Sequence, residues 1–334
     1  MSQRAVEVQD LEKRFGDVVA LDGLSFSVGH GRVVGLLGRN GSGKTTAVGI
    51  VSTALRPDGG TATVCGLDVV GDARGVRRMI GLAGQFAAVD PNLTGAENLV
   101  LVARLSRLGR RQARRRADEL LTAFGIAGAA DRLVRGYSGG MRRRLDLAAA
   151  LVGRPPVVLL DEPTTGLDPE SRVALWAMVR QLATDGAAVL LTTQYLDEAD
   201  ALADEVVIIE GGRVVESGTP GDLERRVGST VIELSFADDA SASAVAGHLL
   251  RFANPSPDES VGRKGSTLEV RTRRGSAAVV DVMKDLAGAP ADPVGVAIRE
   301  PTLDDVYFAL TGQAAGAGEH PQAAGAGVRG EGAA

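Results

Sequence analysis

The chain has 334 residues, a formal net charge of −5 and 44% hydrophobic residues. This length exceeds one comfortable core and predicts two folded units, while the acidic balance argues against nucleic acid as a partner. No stretch approaches the roughly 18 consecutive apolar residues of a membrane-spanning helix. The single cysteine, Cys65, excludes an internal disulfide.

The first forty residues predict strands that lead into a glycine-rich loop. Residues 5–8 and 24–28 alternate apolar and polar side chains, as half-buried antiparallel strands do. Residues 33–37 are apolar throughout and predict a buried strand, and residues 46–51 can open a helix.

Between that strand and that helix, residues 38–46 match the phosphate-loop pattern G-x-x-x-x-G-K-[ST]. Backbone N–H groups of such a loop, and the positive end of the following helix, point at phosphate. We expect Lys44 to reach the β- and γ-phosphates and the Thr45 hydroxyl to bind Mg²⁺. A chance glycine-rich turn is the alternative, which the strand and helix on either side disfavour. The predicted nucleotide-binding residues are Gly38, Asn40, Gly41, Ser42, Gly43, Lys44, Thr45 and Thr46.

The next hundred residues predict a strand pair from residue 61, an apolar strand over residues 80–85, and a mostly helical segment over residues 99–136. Five arginines cluster within residues 110–116 of that segment. The cluster is explained by a solvated helix face, or alternatively by electrostatic contact with the cytoplasmic loops of a membrane protein or with anionic lipid headgroups.

Two further sequence patterns indicate functional residues. Ser138, Gly139 and Gly140 precede a basic, apolar helix, where the glycines allow close backbone approach and Ser138 offers a donor to an anion. Residues 157–160 predict a buried strand that delivers Asp161 and Glu162 at its carboxyl end. We expect Asp161 to hold Mg²⁺, and Glu162, which faces the other side, to deprotonate the attacking water. Surface caps are the alternative for these carboxylates.

Past residue 225 the sequence predicts a small α+β domain built as β-α-β-α-β-α. Its strands are expected at residues 231–236, 267–271 and 294–298, and Thr302 is expected to cap a last helix with Asp305 three residues on. The domains predicted are a nucleotide-binding unit over residues 1–224, this α+β unit over residues 225–312, and a disordered Ala/Gly-rich tail over residues 313–334.

The motifs resemble those of the ATP-binding-cassette (ABC) ATPases, whose signature motif, usually L-S-G-G-Q, matches residues 137–141 with Tyr137 and Met141 at its ends. The resemblance implies an α/β P-loop cassette: a RecA-like core with antiparallel β and helical subdomains. It implies that Ser138, Gly139 and Gly140 face the γ-phosphate of ATP held by a second subunit, and that Asp168 lies in the loop along the dimer interface.

The same resemblance assigns three more residues. Gln85 matches the glutamine that contacts Mg²⁺ or its water, in a loop that touches the membrane partner. Phe15 is the candidate platform for stacking on adenine, with a core phenylalanine as the alternative. Gln194 stands where most members have a histidine that contacts the γ-phosphate; it can donate a hydrogen bond but does not titrate near neutral pH.

Gln194-Tyr195-Leu196 followed by Glu198-Ala199-Asp200, together with residues 301–306, resembles the daunorubicin-resistance branch of exporter ATPases. This implies an ATP- and Mg²⁺-dependent homodimer at the cytoplasmic face of the membrane, bound to a separately encoded permease and powering export of a hydrophobic drug. The alternatives are an exporter of lipid or polysaccharide, a non-transport ABC ATPase acting on ribosomes or DNA, and a small-molecule P-loop kinase. The kinase would not need Ser138-Gly139-Gly140.

Overall fold

The computed structural model describes residues 4–84, 89–227, 230–252, 260–272 and 274–311. Its strands are β1 (Arg4–Phe15), β2 (Val18–Gly29), β3 (Val33–Leu37), β4 (Gly59–Val64), β5 (Leu67–Asp68), β6 (Ile80–Ala83), β7 (Val157–Asp161), β8 (Ala188–Thr193), β9 (Glu205–Glu210), β10 (Arg213–Gly218), β11 (Thr230–Ser235), β12 (Ser260–Lys264), β13 (Thr267–Thr272) and β14 (Gly295–Arg299). Its α-helices are α1 (Lys44–Val51), α2 (Ala73–Met79), α3 (Gly95–Leu105), α4 (Arg110–Ala123), α5 (Gly139–Ala150), α6 (Pro169–Thr184), α7 (Leu196–Leu202), α8 (Pro220–Val227), α9 (Asp239–Ala246), α10 (Ala278–Leu286) and α11 (Leu303–Thr311).

A six-stranded sheet in the order β10–β9–β3–β8–β7–β6 forms the centre of the molecule. All its pairings are parallel except the one between β9 and β10. Strands β3, β7 and β8 are buried along their whole length, which explains their nearly unbroken apolar sequences. Their carboxyl ends lie at one edge, where open α/β sheets bind ligands.

The two other predicted subdomains flank this sheet. The four-stranded sheet β2–β1–β4–β5 is antiparallel and shares an apolar core with α1 and with one face of the central strands. Helices α3, α4 and α5 pack together over the other face. The predicted α/β cassette, with its RecA-like core and its antiparallel β and helical subdomains, is therefore confirmed.

The C-terminal part has a separate four-stranded sheet in the order β12–β13–β11–β14. Helices α9 and α10 cover it around a core that includes Ile232, Leu268 and Val282. The prediction of three strands here was wrong by one, because β12 is Ser-Val-Gly-Arg-Lys and has little intrinsic strand preference. Antiparallel pairing with β13 makes it a strand. The pair β9–β10 also went unpredicted.

The last helix, α11, packs on the cassette. Leu303 and Val306 are buried in one apolar cluster with Leu37, Ala199 and Leu223. Thr302 and Asp305 form the predicted cap, with the Asp305 N–H donating to Thr302 Oγ1 at 3.4 Å and the Thr302 N–H to Asp305 Oδ2 at 3.0 Å. The domain boundaries given above stay predictions. Within the described residues, no helix combines the length and apolar content needed to cross a membrane.

Candidate ATP site

The phosphate loop closes around the side chain of Lys44. This residue begins α1 and is 3% exposed, and its Nζ donates to the carbonyl oxygens of Gly38 at 2.7 Å and Arg39 at 2.9 Å. Burial lowers the pKa of Lys44, and the nearby carboxylates of Glu162 and Asp161 oppose that effect. The loop therefore concentrates one positive charge at the carboxyl edge of the central sheet.

The loop has the shape and donors that a phosphate needs. Gly43 has φ 109°, and a Cβ there would lie 2.6 Å from the Ala20 carbonyl oxygen. Only glycine therefore fits at this position of the loop. Ser42 Oγ is buried without a hydrogen-bond partner among the described residues. A buried hydroxyl with no partner is costly, and a phosphate oxygen would satisfy it.

Oxygen ligands for Mg²⁺ lie beside the loop. Asp161 ends β7 and is 4% exposed, and its Oδ1 accepts from Thr45 Oγ1 at 3.2 Å and from Thr192 Oγ1 at 2.6 Å. No group of three or more His, Cys, Asp or Glu in the described part of the chain could hold a metal by itself. Since Mg²⁺ usually takes one or two carboxylates together with substrate phosphates and water, this hydroxyl–carboxylate pair fits it.

Glu162 is held in an uncommon backbone conformation. Its φ is 46°, in the left-handed region that non-glycine residues rarely occupy. The Glu162 N–H donates to the carbonyl oxygen of Thr192 at 3.1 Å and to its hydroxyl at 3.0 Å. The Glu162 Oε1 atom lies 3.8 Å from Lys44 Nζ. The carboxylate is thus directed towards the side chain of Lys44 in the phosphate loop.

Gln194 follows β8 and lines a cavity of about 300 Å³. The same cavity is lined by Gly38 and Asn40 of the phosphate loop and by Tyr307 of α11. Gln194 therefore lies beside the phosphate loop. Thr46 follows Thr45 in the first turn of α1.

The signature segment forms a second group at the starts of two helices. Ser138 caps α5 by accepting from the Met141 N–H at 3.2 Å, and both Ser138 and Gly139 are exposed. Asp168 caps α6, accepting from Ser171 N and Oγ at 2.8 Å each, and these hydrogen bonds lower its pKa. A Cβ on Gly140 would lie 2.6 Å from Ser171 Oγ, so the two helix starts approach closely.

Two predicted site residues, Phe15 and Gln85, are not part of the two groups described above. Phe15 ends β1 and is 48% exposed, with Lys13 Nζ 5.5 Å from its ring centroid, so Phe15 is not a core residue. Gln85 lies outside the described residues. Thr192, which hydrogen-bonds to both Asp161 and Glu162, was missed by the sequence reasoning, although a threonine near the end of an apolar strand was the available signal.

The geometry defines an ATP-binding cassette, and comparison with known proteins agrees. Residues 21–165 match the family model described as ABC transporter. Among solved structures, an ATP-binding subunit of an ABC transporter superposes with a TM-score of 0.61 at 29% identity, covering 66% of this chain and 92% of the other. A dimeric ATP-binding cassette bound to ADP and phosphate gives a TM-score of 0.59 at 24% identity, covering 64% and 98%.

Relatives match nearly the whole chain. The daunorubicin resistance ATP-binding protein DrrA2 of Streptomyces coeruleorubidus is 48% identical over 314 residues, 93% of this chain and 96% of the relative. A Nod factor export ATP-binding protein I of Ralstonia nicotianae is 37% identical over 92% of this chain and 94% of the relative. The chain belongs to the ABC transporter family of ATPases, in the branch of the daunorubicin-resistance ATP-binding proteins.

Proposed function

We propose that this chain is the ATP-hydrolysing subunit of an exporter for a hydrophobic drug. One observation carries the catalytic part: β7 delivers Asp161 and Glu162 beside the phosphate loop, with the Glu162 carboxylate 3.8 Å from Lys44. The name of the relative at 48% identity, a daunorubicin resistance protein, supports the cargo class.

Each residue has a defined task in hydrolysis. Lys44 and the N–H groups of the phosphate loop bind and orient the β- and γ-phosphates. Glu162 takes a proton from the attacking water. The oxygen of that water bonds to the γ-phosphorus while the bond between the γ-phosphorus and the bridging oxygen of ADP breaks. Gln194 donates a hydrogen bond to the γ-phosphate, and Phe15 stacks on adenine. Gln85 would bind Mg²⁺ or its water.

Thr45 and Asp161 would hold Mg²⁺ at the edge of the loop, since their oxygens already lie 3.2 Å apart. When bound there, the ion neutralises charge on the β- and γ-phosphate oxygens.

The exposed residues at the start of α5 indicate which partners the chain has. Because Ser138 and Gly139 face solvent, they can meet ATP held by a second copy of the chain, as the dimeric form of the similar cassette supports. Asp168 lies at that same interface. A separately encoded permease supplies the drug pathway, and this chain is peripheral at the cytoplasmic face of the membrane. Nucleic acid has no part in this function.

A second cargo class is favoured by one observation, the 37% identity to a Nod factor export protein over most of the chain. In that case the same ATPase would drive export of another cargo, a lipid or a polysaccharide.

Glu162→Gln tests the chemical step. The substitution keeps the shape and removes the base, so ATP hydrolysis should fall about 10²–10⁴-fold while ATP binding persists. In cells that express the chain with a candidate permease, daunorubicin accumulation should rise to the level of cells without the transporter. Glu205→Gln, an exposed glutamate on β9, serves as the control and should leave both readouts unchanged. Wild-type turnover in Glu162→Gln would remove Glu162 from the mechanism, and unchanged daunorubicin accumulation with wild-type protein would remove the drug as cargo.

A further inference from the structure

Helix α5, which begins in the signature segment, carries Arg143. The side chain of Arg143 contacts the backbone at the ends of two central strands, β6 and β7. The side chain of Arg143 is 11% exposed. Its Nη1 donates to the carbonyl oxygen of Gly84 at 2.5 Å, its Nη2 to that of Asp161 at 3.3 Å, and its Nε to that of Pro163 at 2.9 Å. A single guanidinium therefore joins α5 to the end of β6 and to the end of β7.

The buried charge is balanced on its own helix. Asp146 lies one turn along α5, is 2% exposed, and places Oδ2 3.3 Å from Arg143 Nη1. Only arginine has donors that diverge in one plane to reach three carbonyl groups; a lysine ammonium is a point charge on a flexible stem. The contact is therefore specified by shape as well as by charge.

Two of the three carbonyls that Arg143 contacts lie on either side of Glu162 in the chain. Asp161 precedes it and Pro163 follows it, while Glu162 itself has φ 46°. A non-glycine residue in the left-handed region is strained and persists only where its surroundings fix it. Together with the Thr192 contacts to the Glu162 N–H, the Arg143 bonds supply that fixation.

We propose that Arg143 is a positioning residue that couples the Ser138 end of α5 to the placement of Glu162. Ser138 caps the helix on which Arg143 lies, about one and a half turns away. The coupling rests on the proposed function, in which Ser138 contacts ATP of the opposite subunit while Glu162 hydrolyses the chain's own ATP. Arg143 thus connects the two ATP sites of a dimer within one chain.

Arg143→Lys in the full-length chain is the decisive variant. It keeps the charge beside Asp146 but loses the three-way contact, so kcat for Mg-ATP hydrolysis should fall about 10–100-fold, as expected when a catalytic group is slightly misplaced. The Kd for ATP should stay within about 3-fold, because the phosphate loop is untouched. The thermal unfolding midpoint should fall only slightly, so that the variant stays folded at the assay temperature. Arg142→Lys, an exposed arginine on the same helix, is the matched control and should change none of these values.

The outcomes separate positioning from mere structure. A merely structural role predicts that the stable Arg143→Lys protein keeps its wild-type kcat, and that result would overturn the proposal. A rise in KM at unchanged kcat would overturn it as well. If Arg143→Lys is unstable, the double variant Arg143→Met with Asp146→Leu removes both charges of the buried pair, and the same fall in kcat is expected. Failure of the proposed function would be seen separately, as wild-type hydrolysis by Glu162→Gln.

Discussion

Glu198 carries a buried carboxyl group that has no role in the proposed hydrolysis mechanism. It lies on α7 with 0% exposure, and its Oε1 accepts from Trp176 Nε1 at 3.4 Å. Burial raises the pKa of Glu198 more than the neighbouring hydroxyl and indole groups lower it, and Asp197 raises it further. The group therefore makes the stability of the cassette depend on pH.

The direction follows from proton linkage. Since the folded-state pKa of Glu198 is raised, the folded chain keeps this proton over a pH range in which the unfolded chain has released it. The stabilising contribution is fully present below the unfolded pKa of about 4.3 and is lost as pH rises through the folded pKa. Glu198→Gln should therefore flatten the fall of the unfolding midpoint with rising pH and raise the midpoint at pH 8, as followed by circular dichroism.

The exposed Glu205 gives the comparison. Glu205→Gln removes one carboxylate from the surface of β9 and should leave the pH dependence of the unfolding midpoint as in wild type. Parallel curves for Glu198→Gln and wild type from pH 5 to pH 8 would show that Glu198 does not titrate in this range.

Among the elements, α11 has a role that its place in the sequence does not indicate. It follows the C-terminal sheet, yet its apolar face lies against α7, α8 and the end of β3, immediately before the phosphate loop. Tyr307 reaches the cavity that Gln194 and Asn40 also line, and burial raises the pKa of its hydroxyl. The helix thus supports the nucleotide site from outside the cassette's own sequence.

Leu303→Ala tests this support. Leu303 is 2% exposed, so truncating it should lower the free energy of unfolding by about 2–5 kcal/mol. Val280→Ala on α10 changes a side chain that is 58% exposed and should cost less than about 0.5 kcal/mol. Urea denaturation, monitored together with ATP binding, measures both. Equal midpoints for the two variants would contradict the packing of α11 on the cassette.

The sequence predicted the elements whose pattern is local. Residues 33–37 are β3 within its bounds, Thr302 is a helix cap as expected, and Asp161 ends a buried strand, because apolar runs and capping residues act over a few positions. The Arg143 contacts and the packing of α11 could not be predicted. They depend on which distant segments meet, and an arginine or a leucine on a helix does not indicate its partner.

At the scale of the whole molecule, the phosphate loop and the segment that begins α5 form two separate surfaces. Lys44 is 3% exposed and lies inside the phosphate loop, whereas Ser138 is exposed at the start of α5. If each site combines Lys44 of one chain with Ser138 of another, defects in the two residues should complement each other.

Ser138→Arg and Lys44→Ala homodimers should each lose ATP hydrolysis. In a heterodimer of the two, one site carries both defects and the other carries neither, so up to about half of the wild-type rate should return. Two affinity tags allow the heterodimer to be purified before the assay. Lys44→Ala paired with itself through the same two tags is the control. A purified heterodimer without activity would contradict shared sites.

The position of α11 also sets the order in which the chain can finish folding during its synthesis. The last cassette strand, β10, ends at Gly218, but Leu303 and Val306 emerge about 85 residues later. Ribosomes add about 5–20 residues per second. The apolar side chains of Leu37 and Ile208 therefore stay uncovered by α11 for several seconds. During that interval the nascent cassette presents an apolar patch beside its own phosphate loop. Chaperone binding to ribosome-bound chains should therefore persist until α11 has left the exit tunnel.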